Sequence, residues 1–262
     1  MYLKTLKKLI LLGFLCFSCA GKEKTPDNNN LLWYRYPAKY WNCQALHLGN
    51  GYFGASFYGG IEEEVFALSE KSFWTGGPAN GNWTKAGVNP KAKESLPLIR
   101  SKILNGETRI ADSLVSNNFF GSSELFGYFT SVGNLYVKFL DHEARIDDYI
   151  RTLDLENSLG RVEYEINQTR YTREYFCSYP DRILAMRFSA NSPGKISFNL
   201  RMDILQDSSI IEISDNTYQV KGFINDNHRP FNVLIFLRNY GGKVGKDGDF
   251  ITVRGSDTVE IY

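Results

Sequence analysis

From residue 134 onward, apolar and polar positions alternate with period two, the pattern of strands that bury one face. Leu135, Val137 and Phe139 share one face of residues 134–140. Over 161–166, Val162, Tyr164 and Ile166 point inward, while Arg161, Glu163 and Glu165 point outward. Ile196, Phe198 and Leu200 repeat the pattern over 195–200. Further strands are predicted at 170–177, 182–188, 210–213, 217–223, 231–237, 250–253 and 258–262. The breaks between them carry turn chemistry, as in Tyr179-Pro180-Asp181, Ser214-Asp215-Asn216 and Asp247-Gly248-Asp249. Many short strands without intervening helices predict a mainly β, antiparallel fold whose sheets stack to cover their apolar faces.

One stretch departs from period two. Ile99 and Ile103 lie four apart and Asn105-Gly106 follows as a stop signal. Ile110, Ala111, Leu114 and Val115 then form a second helical stripe. A short helical insertion near residues 97–117 is therefore predicted, with Asn89-Pro90 opening it as a turn or helix start. At the other end of the chain, 258–262 reads as a strand with no polar tail. That pattern carries the expectation that the native polypeptide is truncated there.

The N-terminus reads as an address. Lys4, Lys7 and Lys8 precede an apolar run over 9–17 that is too short to span a bilayer, and Ser18-Cys19-Ala20-Gly21 follows. A basic segment, a short apolar core and small residues at the cut predict an export signal over 1–18. A cysteine at the cut resembles a lipoprotein signal, which implies a lipid on Cys19 and a membrane as partner. Cys16 stands where such signals usually carry leucine. Residues 22–30 (KEKTPDNNN) predict a flexible tether over 19–30, and 31–262 forms the folded domain.

Charge adds a restriction. The 262 residues carry a net charge of +1, which falls to about −2 without the signal. Such a balance gives no footprint for nucleic acid. Aromatics make up 15% of the chain, which suits strand packing and also stacking on sugar rings. Within the domain only Cys43 and Cys177 remain, with no C-x-x-C and no zinc spacing, so both are expected as free, buried thiols. His47, His142 and His228 show no metal spacing, and no cofactor is implied.

Gly49-Asn50-Gly51-Tyr52-Phe53-Gly54 matches the dinucleotide fingerprint in letters only. That site needs a helix after the glycines, and residues 55–60 read as strand and turn. Gly49-Asn50-Gly51 is better read as a tight hairpin turn. Glu62-Glu63-Glu64 and Asp147-Asp148 offer carboxylates, but neighbours on a strand point to opposite sides and build no acid/base pair across a glycosidic bond. They are expected as solvated charges.

Residues 32–78 hold an unusual density of Trp, Gly and Asn: Leu32-Trp33-Tyr34, Pro37-Ala38, Trp41, Leu48-Gly49-Asn50-Gly51, Gly54-Ala55, Leu68-Ser69-Glu70 and Phe73-Trp74-Thr75-Gly76-Gly77-Pro78. This series resembles the opening of family-95 glycoside hydrolases of the α-L-fucosidase type, whose N-terminal domains also belong to the family-65-like type. The similarity continues through Asn89-Pro90, Leu96-Pro97, Gly133-Asn134-Leu135, the 149–155 run and Tyr171-Thr172-Arg173-Glu174. The resemblance implies a β-super-sandwich. It also implies a separate (α/α)6 barrel, following this domain, that holds the inverting catalytic groups and acts on fucosylated oligosaccharides. None of that barrel is in these residues, so no catalytic residue is carried over. His47 stands where the family has proline and Gln44 where glutamate is common, which leaves fucoside against galactoside preference open.

Trp41, Gln44, His47, Asn50, Glu70 and Trp74 are the candidates for a loop face that meets the barrel and borders its sugar pocket. Internal turn support is the competing role for the same residues. A stand-alone glycan-binding lipoprotein, or the N-terminal domain of a related phosphorylase or hydrolase, are the alternative functions.

Overall fold

A computed structural model describes residues 29–77, 87, 89–121, 127–143, 146–207 and 209–262. The signal, Cys19, most of the tether and Pro78 lie outside the described residues. Two antiparallel sheets stack face to face. In chain order the strands are β1 (Leu31–Tyr34), β2 (Leu46–Gly49), β3 (Phe53–Phe57), β4 (Glu63–Glu70), β5 (Gly133–Phe139), β6 (Ile146–Asp154), β7 (Leu159–Ile166) and β8 (Thr169–Ser178). They continue as β9 (Ile183–Ala190), β10 (Ile196–Asp203), β11 (Ile210–Ser214), β12 (Thr217–Phe223), β13 (Pro230–Tyr240), β14 (Lys243–Asp247), β15 (Phe250–Ser256) and β16 (Thr258–Ile261). The nine-stranded sheet runs β1-β6-β7-β8-β9-β16-β13-β12-β11, and the seven-stranded sheet β14-β15-β10-β5-β4-β3-β2. The expected antiparallel sandwich is therefore what the chain adopts.

The inward sets foreseen from period two are buried: Leu135, Val137 and Phe139; Val162, Tyr164 and Ile166; Ile196, Phe198 and Leu200. Between the sheets, Phe57 and Phe66 pack edge-on against Tyr175, with ring centroids 5.0 and 4.9 Å apart, and Phe188 meets Phe198 at 5.6 Å. Each such buried side chain contributes about 1.5–3 kcal/mol, so this seam fixes the stacking of the sheets.

The helical insertion is present but starts earlier than expected. α2 spans Ala92–Leu104 and α3 Thr108–Asn118, joined by Gly106 at φ +76°. Pro97 lies inside α2 rather than opening it. Asn89 caps the approach, its side-chain oxygen accepting from Lys91 N–H and its carbonyl from Ala92 N–H. Between Ala92 and Leu96 lie three polar residues, Lys93, Glu94 and Ser95, and Pro97 follows within the helix, so the periodicity missed the first turns.

Two further expectations need correction. Cys43 and Cys177 are both free, but Cys177 is only partly buried and Cys43 is exposed on the single turn α1 (Trp41–Gln44), because that turn buries none of its residues. Glu62 and Glu63 are exposed, whereas Glu64 is wholly buried. Its Oε1 accepts from the N–H groups of Tyr58 (3.0 Å), Gly59 (2.7 Å) and Val65 (3.1 Å), and Oε2 accepts from Tyr175 O–H (3.0 Å). Arg173, also buried, stands 3.7 Å away. Burial pushes the Glu64 carboxyl up from its ordinary range, against the pull of Arg173 and of the Gly59, Tyr175 and Tyr58 donors. Arg173 also donates to the carbonyls of Gly60 (2.5 Å) and Ile61 (2.8 Å), locking the β3–β4 loop onto β8. Period-two reading put three adjacent glutamates in water. The fold instead turns the third inward to hold the loop that precedes β4.

Candidate functional site

The six candidate residues fall into two groups along the β2–β3 hairpin. The first lies on the outer face of the seven-stranded sheet. His47 and Ser56 are cross-strand partners, and the Ser56 hydroxyl is 2.8 Å from His47 Nδ1. The same hydroxyl oxygen accepts from Trp41 Nε1–H at 3.0 Å. The two rings meet edge to face at 5.8 Å. Trp41 keeps 55% of its surface in water, so one indole face is available to a neighbour. Gln44 serves the same turn from within: its Oε1 accepts from Lys39 N–H (2.7 Å) and Tyr40 N–H (3.3 Å), and its carbonyl accepts from buried Arg151 (2.9 Å). Trp41 and His47 thus present chemistry outward, while Gln44 supports them.

Asn50, Glu70 and Trp74 lie at the turn end of the same hairpin, about 10 Å along β2 from His47 at the strand rise of about 3.3 Å. Asn50 is buried. Its Oδ1 accepts from Tyr52 N–H (3.0 Å) and Phe53 N–H (2.7 Å), and its Nδ2–H donates to the Ser178 carbonyl (2.6 Å). Gly51 takes φ +81°, which completes the turn expected from Gly49-Asn50-Gly51. Asn50 is therefore a turn-forming residue that joins the two sheets. Glu70 pairs with Phe53 across the strands, and its Oε2 accepts from Ser72 N–H (2.9 Å) and Ser72 O–H (2.5 Å). Trp74 Nε1–H donates to the Lys71 carbonyl (3.0 Å), and the ring meets Phe129 at 5.8 Å. Asn227 Nδ2–H donates to the carbonyls of Trp74 (2.8 Å) and Gly76 (2.9 Å), so the segment after β4 is pinned to the β12–β13 turn. Trp74 keeps 44% of its surface exposed despite these anchors.

This end carries a basic, aromatic rim that the sequence did not reveal. Tyr52 has Lys71 Nζ 3.4 Å and the Arg182 guanidinium 4.3 Å from its ring centre, with Tyr179 at 5.9 Å. Ser56 was equally silent, since its role exists only through its register with His47. Among the described residues no group of three or more His, Cys, Asp or Glu is placed to hold a metal ion.

A family model described as the glycosyl hydrolase family 65, N-terminal domain, matches residues 32–262, the whole of the sandwich. The chain belongs to this family. It is a glycoside hydrolase N-terminal domain, and relatives of known type agree. It is 30% identical over 169 residues to alpha-L-fucosidase 2 of Arabidopsis thaliana, covering 64% of this chain and 19% of that protein. It is 31% identical over 198 residues to probable alpha-fucosidase A of Aspergillus niger, covering 73% of this chain and 24% of that protein. The match thus covers about a fifth to a quarter of the length of these curated relatives. A putative kojibiose phosphorylase from human microbiome matches at TM-score 0.40 and 9% identity, over 82% of this chain and 29% of that one. As an N-terminal domain, the chain has its candidate residues on and around the β2–β3 hairpin, from α1 to the segment after β4: Trp41 and His47 offer ring and imidazole to a neighbour, and the other four mainly shape the loops.

Proposed function

We propose that this domain is the non-catalytic N-terminal β-domain of an exported glycoside hydrolase of the family-95, α-L-fucosidase type. In this reading it supports a catalytic body and borders its sugar pocket. The observation that carries it is the match to a glycoside hydrolase N-terminal domain over 32–262, together with fucosidase relatives about three times its length. Glu64, the one buried glutamate among the 62–64 run, fits a supporting role: every donor around it belongs to the fold, and none of its surface reaches solvent. The exposed Trp41 ring and His47, beside small residues Gly49, Gly54 and Ser69 on the same sheet face, give a surface on which a second body can rest closely. Anchoring through Cys19 places the enzyme in the cell envelope.

The test is hydrolysis of 4-nitrophenyl α-L-fucoside and the α-L-galactoside by the purified 31–262 segment and by the same segment joined to a catalytic region. Turnover is expected only in the joined form, with inversion at the anomeric carbon by NMR. Turnover by 31–262 alone overturns the division of labour. Loss of [3H]palmitate labelling in Cys19→Ser tests the anchor, and unchanged labelling refutes it. A stand-alone glycan-binding lipoprotein is the second reading, favoured by the exposed rings of Tyr36, Tyr40 and Trp41 on one short stretch. Calorimetric binding of a fucosylated oligosaccharide to 31–262 that is abolished in Trp41→Ala would favour it.

A further inference from the structure

Loops from the two sheets converge at the turn end of the β2–β3 hairpin. The β2–β3 turn carries Tyr52, and the β8–β9 turn over residues 179–182 carries Tyr179 and Arg182. Asn50 ties the two turns together through the Ser178 carbonyl. Lys71 follows β4 directly, and its backbone is held from both sides. Its N–H donates to the Tyr52 carbonyl (2.9 Å), and its carbonyl accepts from Trp74 Nε1–H (3.0 Å).

Two cations lean on one ring here. Lys71 Nζ lies 3.4 Å and the Arg182 guanidinium carbon 4.3 Å from the Tyr52 ring centre, so the two charges stand within about 7.7 Å of each other. That is inside the screening length of about 8 Å at physiological salt, so they repel. Elsewhere basic side chains meet acids, as in Arg161 with Glu174 and Arg187 with Glu260. Among the described residues neither Lys71 nor Arg182 forms an ion pair. The carboxylates of the same loops are engaged otherwise: Glu70 Oε2 accepts from the Ser72 N–H and O–H, and Asp181 Oδ2 accepts from the Ser178 hydroxyl. Arg229 adds a third basic side chain, donating to the Ser72 carbonyl at 3.2 Å. All three basic residues are exposed.

The unpaired charge calls for an anion, and the rings indicate what carries it. Tyr179 is 64% exposed and lies 5.9 Å from Tyr52 at an angle of 43°. Its open face is a platform for the C–H face of a pyranose. One carboxylate or sulfate group, taking a charge-assisted bond of about 2.8 Å on each side, spans the distance between the two cations. A divalent cation would be repelled, and a neutral sugar would leave both charges unused. We infer that this rim is a subsite for an acidic sugar residue, its carboxylate or sulfate ester bridging Lys71 and Arg182 and its ring resting on Tyr179. The choice of a sugar rests on the glycoside hydrolase reading given above. The choice of an anion rests on the two cations alone.

The experiment titrates the purified chain by calorimetry with tetragalacturonate, a sulfated galactose tetrasaccharide, neutral galactotetraose, tetraglutamate and sodium sulfate. At least one acidic tetrasaccharide is expected to bind about tenfold or more tightly than galactotetraose, and to weaken as salt rises. Which of the two binds tells carboxylate from sulfate ester. Lys71→Ala and Arg182→Ala should each weaken that binding about tenfold, while Lys71→Arg and the remote Lys195→Ala leave it within about twofold. Tyr179→Ala should weaken it as well. All five side chains are exposed, so near-ultraviolet circular dichroism should match the parent in every variant. Equal affinity for acidic and neutral tetrasaccharides, or none for either acid, overturns the inference. Sodium sulfate binding as tightly as the sugars makes the rim a place for an adventitious ion only, and tetraglutamate doing so makes it a peptide site; both overturn it. Fucoside turnover by the domain joined to a catalytic region is a separate readout. Turnover without acidic-sugar binding sinks this inference alone, and binding without turnover sinks only the fucosidase reading.

Discussion

Arg173→Met tests the buried ionic core most directly. The wild-type guanidinium donates to the carbonyls of Gly60 and Ile61 and to the Tyr164 hydroxyl, lies 3.7 Å from the Phe139 ring centre, and stands 3.7 Å from Glu64. Methionine keeps much of the apolar stem but leaves two loop carbonyls without those donors and a buried carboxylate without its cation. Removing one partner of a buried pair costs about 3–5 kcal/mol, because the remaining charge is stranded. For a domain of this size that corresponds to a fall in Tm of about 10 °C. Urea unfolding followed by tryptophan fluorescence gives the loss as a shift in midpoint at constant slope. The double variant Glu64→Gln/Arg173→Met should lose less than the sum of the singles by about 1 kcal/mol or more, since the neutral amide no longer needs the cation. Arg173→Met within about 0.5 kcal/mol of the parent, or strict additivity in the cycle, would refute the account of how the β3–β4 loop is held.

His142 gives a pH signature. Burial, helped by the nearby Arg173 charge, pushes its pKa down to about 4, so the folded protein holds it neutral while the unfolded chain protonates near 6.5. The unfolded state therefore binds the extra proton between these values. This contribution to stability is complete above about pH 6.5 and lost as pH falls toward 4, about 3 kcal/mol in all. His142→Gln should flatten that part of the urea-midpoint profile, and an unchanged slope would contradict the assignment. Asn50→Ala should cost about 2 kcal/mol by removing its turn and inter-sheet hydrogen bonds, whereas Trp41→Ala should cost under about 1 kcal/mol because its ring is half in water. Equal losses in chemical denaturation would reverse their supporting and presenting roles. Gly133→Ala should yield little folded protein by near-ultraviolet circular dichroism. A Cβ there would sit 2.1 Å from the Asp203 carbonyl oxygen at φ +142°, which exceeds about 3 kcal/mol of overpacking and strain. Near-wild-type folding of that variant would refute the close approach of β5 to the end of β10.

What the sequence could carry was whatever repeats locally. Val162, Tyr164 and Ile166 announce a half-buried strand because every second side chain meets the same environment. The same logic located β5, β10 and β12, the latter at its observed limits. β2, β3 and β4 were harder, since Gly49, Gly54, Ser56 and Ala67 place small residues on the outer face and blur the alternation. The motif-rich hairpin was visible as composition and order, and the turn at Asn50 as local hydrogen-bond chemistry.

Other properties came only from juxtaposition of distant segments. Glu64 and Arg173 are 109 residues apart, and each reads alone as a surface charge. Only the stacking of the sheets brings them into one dry site, where desolvation demands a partner. Ser56 bridges Trp41 and His47 by register. Period and turn chemistry act over a few residues, so the sequence determined the strands. Pairing, burial and the shape of surfaces act across the whole chain, so the tertiary structure decided what those strands present.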